Sequence, residues 1–278
     1  MSQTKPSRSR VLLPAFLCLA AFALLPGQAS SPPPDDPQAI VTQMVSREDD
    51  AALHRQHFFY VATERSERTG NHTWKERIAE TTAGKLRFLL EEDGRPIAAD
   101  RVSAERGRLA AIVADPTAFS TAEHAKKNDE DKAKAMLDLL PRAFLVDNLR
   151  HQGDLLLLDF HPDPAYRSQS MEEKVLHGMS GTITIDAQAM RLHQIQARLP
   201  QDVSVGFGLA TIHAGSSFET VRDLVAPGQW KTAMVDTAID GKAILFKSLG
   251  KNEHVVRSEF RQLPYDMTVA QAVALVEQ

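Results

Sequence analysis

Apolar and polar residues alternate with period two through much of this chain. The clearest stretch is residues 179–199, MSGTITIDAQAMRLHQIQARL. Gly181, Ile183 and Ile185 fall on one side, and Thr182 and Thr184 on the other. Asp186-Ala187-Gln188 turns the chain, and then His193, Ile195, Ala197 and Leu199 alternate with Gln194, Gln196 and Arg198. Period two predicts strands with one buried and one solvated face, so the segment reads as a β-hairpin.

The same pattern predicts strands over 57–65, 72–82 and 84–92. There Trp74 and Ile78 share a face, as do Leu86, Phe88 and Leu90. Asp93-Gly94 ends this meander with a turn signal. The run LLLLDF at 155–160 predicts a further strand, and 203–213, 218–225, 230–239, 242–249 and 254–263 predict the rest. Val205, Phe207 and Leu209 share a face. Gly206 and Gly208 opposite them suggest a close backbone approach or strong curvature. Asp240-Gly241 reads as the turn of a hairpin.

Helical spacing appears in three places. Residues 38–56 place Ile40, Val41, Met44, Val45 and Leu53 near one stripe, with Pro37 suited to a helix start and the polar 46–50 segment a point where the helix could break. Between 102 and 149 the period changes. Residues 102–113 mix apolar and charged residues at helical spacing. Residues 124–134, HAKKNDEDKAK, form a charge run that reads as a solvated helix face. Met136, Leu137, Leu140, Phe144 and Leu145 then recur at helical spacing, with Pro141 kinking or splitting the helix. Residues 268–277 read as a short C-terminal helix capped by Asp266 or Thr268. About ten strands with grouped amphipathic helices predict an α+β fold, a large antiparallel sheet whose apolar face the helices cover from one side.

Composition places bounds on this picture. The chain has 278 residues, 43% hydrophobic and 24% charged, as expected of a folded domain. Net charge is -4, and no basic stripe of the kind a nucleic acid needs is visible. Lys5, Arg8 and Arg10 precede an apolar run at 11–25, and Gly27 and Ala29 are spaced for signal-peptidase cleavage after Ala29. Residues 1–29 are therefore expected to be a secretory signal, 30–37 (SSPPPDDP) a Pro-rich linker, and 38–278 one domain with a helical insertion at about 102–149. Loss of the three cations would take the net charge from -4 to -7. The single cysteine, Cys18, lies within the apolar run, so the exported form would have no disulfide and no thiol chemistry.

Few motifs carry chemistry. His161 and Asp163 follow a strand and could join His177 or His213 around a metal, but HPDP also reads as a strand end punctuated by two prolines, and no metal is assigned. Gly178-Met179-Ser180-Gly181 misses the nucleophile-elbow spacing, and Gly206-Phe207-Gly208 lacks both the third glycine and the following helix of a phosphate cradle. Asn71-His72-Thr73 fits a glycosylation acceptor and reads equally as a polar turn. No catalytic residue and no cofactor is expected.

The layout carries a resemblance. An exported chain with an N-terminal helix, a long antiparallel meander and a helical insertion resembles the LolA/LolB-like lipoprotein carriers and related outer-membrane lipoprotein-sorting proteins. The likeness lies between 160 and 263, through FHPDPAYRSQS, HGMSGTITIDAQAMRLHQI, GFGLATIHAGSSF, APGQW and DGKAILFKSL. It implies a strongly curved half-barrel sheet closed by helices over an apolar cavity that holds lipid or acyl chains. The inward face would be Ile183, Ile185, Ile195, Val205, Phe207, Leu209, Trp230 and Phe246, and the lid would be the helices around Met136, Leu140 and Phe144. The function implied is a non-enzymatic envelope carrier in the periplasm, with lipid or lipoprotein acyl chains as ligand, envelope proteins as further partners, and peripheral membrane contact. A structural or interaction protein of the envelope with no cavity ligand is the alternative, and a metal-dependent hydrolase using His161 and Asp163 a third reading.

Overall fold

The computed structural model describes residues 35–125, 128–206, 210–243 and 251–278. Phe207, Leu209 and Phe246, expected to face a ligand, lie outside them. The chain opens with helix α1 (Pro37–Ala52). Asp36 caps it by accepting from the Gln38 N–H at 3.1 Å, and Pro37 takes the first turn. Ile40, Val41, Met44, Val45 and Glu48 form its buried stripe, and the helix runs unbroken through 46–50. Leu53, counted by spacing with that stripe, lies past the helix end and is 82% exposed.

Strands β1 (Phe58–Arg65), β2 (Thr73–Thr81), β3 (Gly84–Glu92) and β4 (Arg95–Pro96) make the expected meander. Helices α2 (Ala99–Ala114), α3 (Pro116–Ala125) and α4 (Asn128–Ala143) follow. The helical insertion ends six residues before the expected 149, because Phe144–Gln152 is strand β5 rather than helix. Its solvated run of Asp147, Asn148, Arg150 and His151 hides the period-two signal, as suits the outermost strand of a sheet. Next come β6 (Leu155–Pro162), α5 (Met171–His177), β7 (Ser180–Asp186) and β8 (Arg191–Arg198).

The strand expected over 203–213 is two, β9 (Val203–Val205) and β10 (Ala210–Ile212), paired antiparallel with Val205 opposite Ala210. Then follow β11 (Ser217–Ala226), β12 (Gln229–Ile239), β13 (Gly241–Ala243), β14 (Lys251–Gln262) and α6 (Val269–Val276). Thr268 and Gln271 form a reciprocal capping box at the start of α6. Asp240-Gly241 does not close a hairpin. It carries the chain into β13, which pairs with β10 in a separate three-stranded sheet, β13-β10-β9.

Among the described residues, eleven strands form one antiparallel sheet in the order β4-β3-β2-β1-β14-β12-β11-β8-β7-β6-β5. The late strand β14 sits between β1 and β12 and so joins the N-terminal meander to the rest. Directly opposed residues of antiparallel strands share a face. Ala62 opposes Arg257 and Glu64 opposes Val255. Val255 opposes Val235, which opposes Thr220. Thr220 opposes Ile195, Ile195 opposes Ile183, and Ile183 opposes Leu158. One face, called inner here, therefore runs from β1 to β6.

The inner face carries two apolar clusters. One packs Ile40, Val41 and Met44 of α1 and Leu139, Leu140 and Ala143 of α4 against Leu158, Ile183, Ile185 and Ile195. The other gathers Phe58, Tyr60, Ala62 and Ile78 with Phe260. Phe59, Val61, Ala79, Leu86 and Phe88 alternate with the second set and point the opposite way, where they meet Leu109 of α2 and Val273 and Val276 of α6. The helices thus lie on both faces, not one. Because β1 to β3 are buried on both sides, Leu89 is as inaccessible as Leu86 and Phe88.

Candidate ligand-binding face

Six of the residues expected to face a ligand come together under α1 and α4. Ile183 and Ile185 are 0% exposed and Ile195 is 1%. Leu140 and Phe144 are also buried there, and Met136 packs at the margin. The Phe144 ring meets Phe160 edge-on at 5.2 Å between centroids. Each such side chain contributes about 2 kcal/mol by leaving water. Trp230 stands apart, near the tip of the β11–β12 hairpin, with its ring edge-on to His193 at 6.2 Å.

The β7–β8 hairpin has the expected turn but a shifted face. Asp186 Oδ1 accepts from the Gln188 and Ala189 N–H groups at 3.1 and 2.7 Å, and Met190 takes φ 53°. Thr184 then opposes Gln194 while Ile185 opposes Leu192, which leaves His193 as the extra residue of a bulge. Leu192, not His193, therefore joins Ile195, Ala197 and Leu199 in the core, and the His193 ring instead lies 2.9 Å from the Arg222 carbonyl.

Beneath the last turns of α1 lies an ion cluster. Glu48 falls on the apolar stripe of the helix, eight residues after Ile40. Its Oε1 accepts from Arg191 Nε at 2.7 Å and from the Leu192 N–H at 3.1 Å. Its Oε2 accepts from Arg191 Nη2 at 3.0 Å and from Arg222 Nη1. The side chains of Glu48, Arg191 and Arg222 are 8%, 10% and 16% exposed. Burial pushes the Glu48 carboxyl up, but the two guanidiniums outweigh it and hold it below the usual carboxylate range. Sequence spacing carries one signal of this cluster: a carboxylate at a stripe position of an amphipathic helix needs a buried partner.

A second tie holds the tip of the β11–β12 hairpin. Lys231 Nζ donates to Glu80 Oε2 at 2.7 Å and to the Gln56 carbonyl at 3.1 Å, and lies 4.8 Å from the Phe58 ring centroid. Two strands separate β12 from β2 in the sheet, and β12 pairs with β14 only from Met234 onward, so the hairpin tip reaches past β14 and β1 to make this contact. Burial pulls the Lys231 ammonium down, and Glu80 opposes that shift.

The remaining chemical candidates are dispersed. His161 Nε2 lies 3.4 Å from Asp147 on the neighbouring strand. Asp163 Oδ1 accepts from the Ala165 N–H, and its carbonyl lies 3.0 Å from His177 Nε2. His213 pairs with Asp202 at 3.2 Å. No three His, Cys, Asp or Glu side chains converge as a metal site among the described residues. Two surface depressions of about 520 and 510 Å³ are lined by His72, Glu92, Asp93 and Arg95 and by a set from Arg65 to His254. Neither touches an expected ligand residue. No helix among the described residues is long and apolar enough to cross a membrane.

The chain matches no known family model, no curated protein and no solved structure. The inner face and its ion cluster are therefore the ground for a functional reading.

Proposed function

We propose that this chain is a non-enzymatic binding or carrier protein of the bacterial envelope, exported by its N-terminal segment. Its ligand is a lipid or lipoprotein acyl chain taken against the inner sheet face, as the LolA-like resemblance implies. The observation that supports this most is the largest apolar cluster of the inner face, which α1 and α4 cover as a separate layer. An acyl chain offers the same chemistry as the apolar stripe of α1, so a rearranged helix could be exchanged for it with little change in buried apolar area. Envelope proteins that deliver or receive the ligand are the natural partners.

A second reading has its own support. With Ile183 and Ile185 fully buried under the helices, the same layer serves equally as the core of an interaction scaffold that binds nothing inside. Native mass spectrometry decides between them, on protein exported to a bacterial periplasm from its own sequence and purified without detergent. A mass excess that extraction identifies as lipid, lost in Ile195→Glu, is the expected result. An apo mass that takes up neither added phospholipid nor acyl peptide would leave the scaffold.

A further inference from the structure

The Glu48 cluster holds two guanidiniums against one carboxylate. The pair therefore carries one positive charge more than Glu48 neutralises, in a place where water is largely excluded. A helix can be fixed to a sheet without such a cluster, by apolar contact alone, and buried ion pairs contribute little net stability against a hydrophobic replacement. The geometry is that of a receptor. Arg191 presents Nε and Nη2 side by side to the two oxygens, Arg222 adds a third donor, and the Leu192 N–H a fourth. This fork is the bidentate arrangement that suits a carboxylate.

The carboxylate it holds is attached to an apolar rod. Ile40, Val41, Met44 and Val45 continue from Glu48 along one side of α1 and fill the cluster over β5–β8. The eight residues from Ile40 to Glu48 rise about 12 Å. An extended chain advances about 1.2 Å per bond, so that length matches roughly ten carbon–carbon bonds. In charge and shape, the inner side of α1 is a carboxylate head followed by a medium-length apolar tail.

We infer that Arg191 and Arg222 form an anion clamp for a carboxylate-headed amphiphile of the fatty-acid class, and that Glu48 with the apolar stripe of α1 occupies that site as an internal stand-in for the ligand. This rests on the carrier reading above and adds the head group to it. The ligand displaces Glu48 from the guanidiniums while its tail replaces the α1 side chains, so binding and release of α1 are one exchange, with charge and apolar burial conserved.

The test is calorimetric titration of the purified protein with dodecanoate, its methyl ester and dodecyl phosphate, each below its micelle concentration. Loss of a charge-assisted contact is worth about tenfold in affinity, so dodecanoate is expected to bind at least about tenfold tighter than the ester. Glu48→Gln removes the internal competitor and is expected to tighten dodecanoate by about a further tenfold, while Arg191→Gln together with Arg222→Gln, which removes the fork and the third donor, abolishes the preference for acid over ester. Should the variants not fold, hydrogen exchange on the wild type reads the same event. Amides of 40–52 should lose protection with saturating dodecanoate and keep it with the ester. Equal binding of acid and ester overturns the clamp and leaves the carrier reading standing. Binding of the phosphate alone overturns the choice of carboxylate. Uptake of none of the three overturns the clamp and counts against the carrier reading together with it.

Discussion

Replacing Glu48 by alanine tests how α1 is held. The carboxylate accepts three guanidinium hydrogen bonds and one from the Leu192 N–H. Its removal leaves Arg191 and Arg222 side by side with their side chains 10% and 16% exposed. Breaking one partner out of a buried pair costs about 3–5 kcal/mol, mostly the penalty of the charge left behind. Arg222 still donates to the Trp230 carbonyl at 3.2 Å and is partly open to water, which places the loss near the lower end, about 3 kcal/mol. In a chain of this size that is a fall in Tm of about 6–12 °C. Urea unfolding followed by circular dichroism at pH 7 measures it. Glu48→Ala combined with Arg191→Met and Arg222→Met should recover most of the loss, because the stranded charges go too. The pH dependence has a fixed sign. The folded Glu48 carboxyl lies below its ordinary 4.5, so the contribution is fully present above about that pH and fades as pH falls through the lower folded value. A loss under about 1 kcal/mol at pH 7, or a wild-type-to-variant difference unchanged down to pH 3, would refute the reasoning.

Three further outcomes follow from single positions. Leu158 is fully buried under α1 and α4, so Leu158→Ala should cost about 3 kcal/mol in the same unfolding assay. A Cβ on Gly181 would stand 1.8 Å from the Gln196 carbonyl oxygen, so Gly181→Ala must push β7 from β8 and should cost about 2–3 kcal/mol; a neutral result would mean that the strands do not pair in this register. Arg150 grips Asp159 with two hydrogen bonds of 2.8 Å, and with Thr182 holds its carboxyl down at about 2 against an ordinary 3.8. That contribution is present above about pH 3.8 and lost as pH falls through about 2. The pair is a third to a half exposed, so Asp159→Asn should cost under about 1 kcal/mol at pH 7, and a carboxyl NMR titration near 3.8 would count against the contact.

How much of this can be read in the sequence depends on whether burial leaves a local pattern. β1 to β3 and β6 to β8 are legible because apolar residues alternate there or run together, α1 because Pro37 precedes a helical stripe, and α6 because Asp266 or Thr268 offers a cap. β5 is not, since an outer strand with a solvated Asp147-Asn148 segment has no apolar face to alternate. Period two puts His193 on the wrong face of β8, because a bulge inserts a residue that no local pattern marks. The distribution of helices over both faces was also hidden. Val61 and Tyr60 are adjacent and both buried, which period two cannot express when each face has its own cover. Of the expected ligand face, the β7–β8 and α4 residues meet in one cluster, whereas the charged residues at its edge are brought together only by the fold. Arg191 lies 143 residues from Glu48 in the chain, and no spacing rule connects them.

The distribution of charge on the inner face also limits where a ligand tail could run. Leaving α1 toward β1, the face presents Thr220, then Thr237 and Val235, then Val255 and Arg257, then Glu64. Glu64 and Glu76 are both bound by Arg68, Glu64 through two of its guanidinium nitrogens. A tail laid across this band would meet Arg257 and the carboxylates of Glu64 and Glu76, already buried and bonded to Arg68, which offer apolar carbon little surface to join. A tail laid along α1 meets only the apolar side chains of β5–β8. The cluster of Phe58, Tyr60 and Phe260 is therefore a second core, closed by the hairpin tip and the Lys231–Glu80 tie, and not an extension of the binding face. The two should separate in experiment. Phe260→Ala, half-buried in the second core, should lower stability by about 2 kcal/mol and leave lipid uptake unchanged. Ile195→Glu places a carboxylate in the first core and should remove uptake. Equal loss of uptake in both variants, each still folded by circular dichroism, would show that the tail crosses the polar band after all.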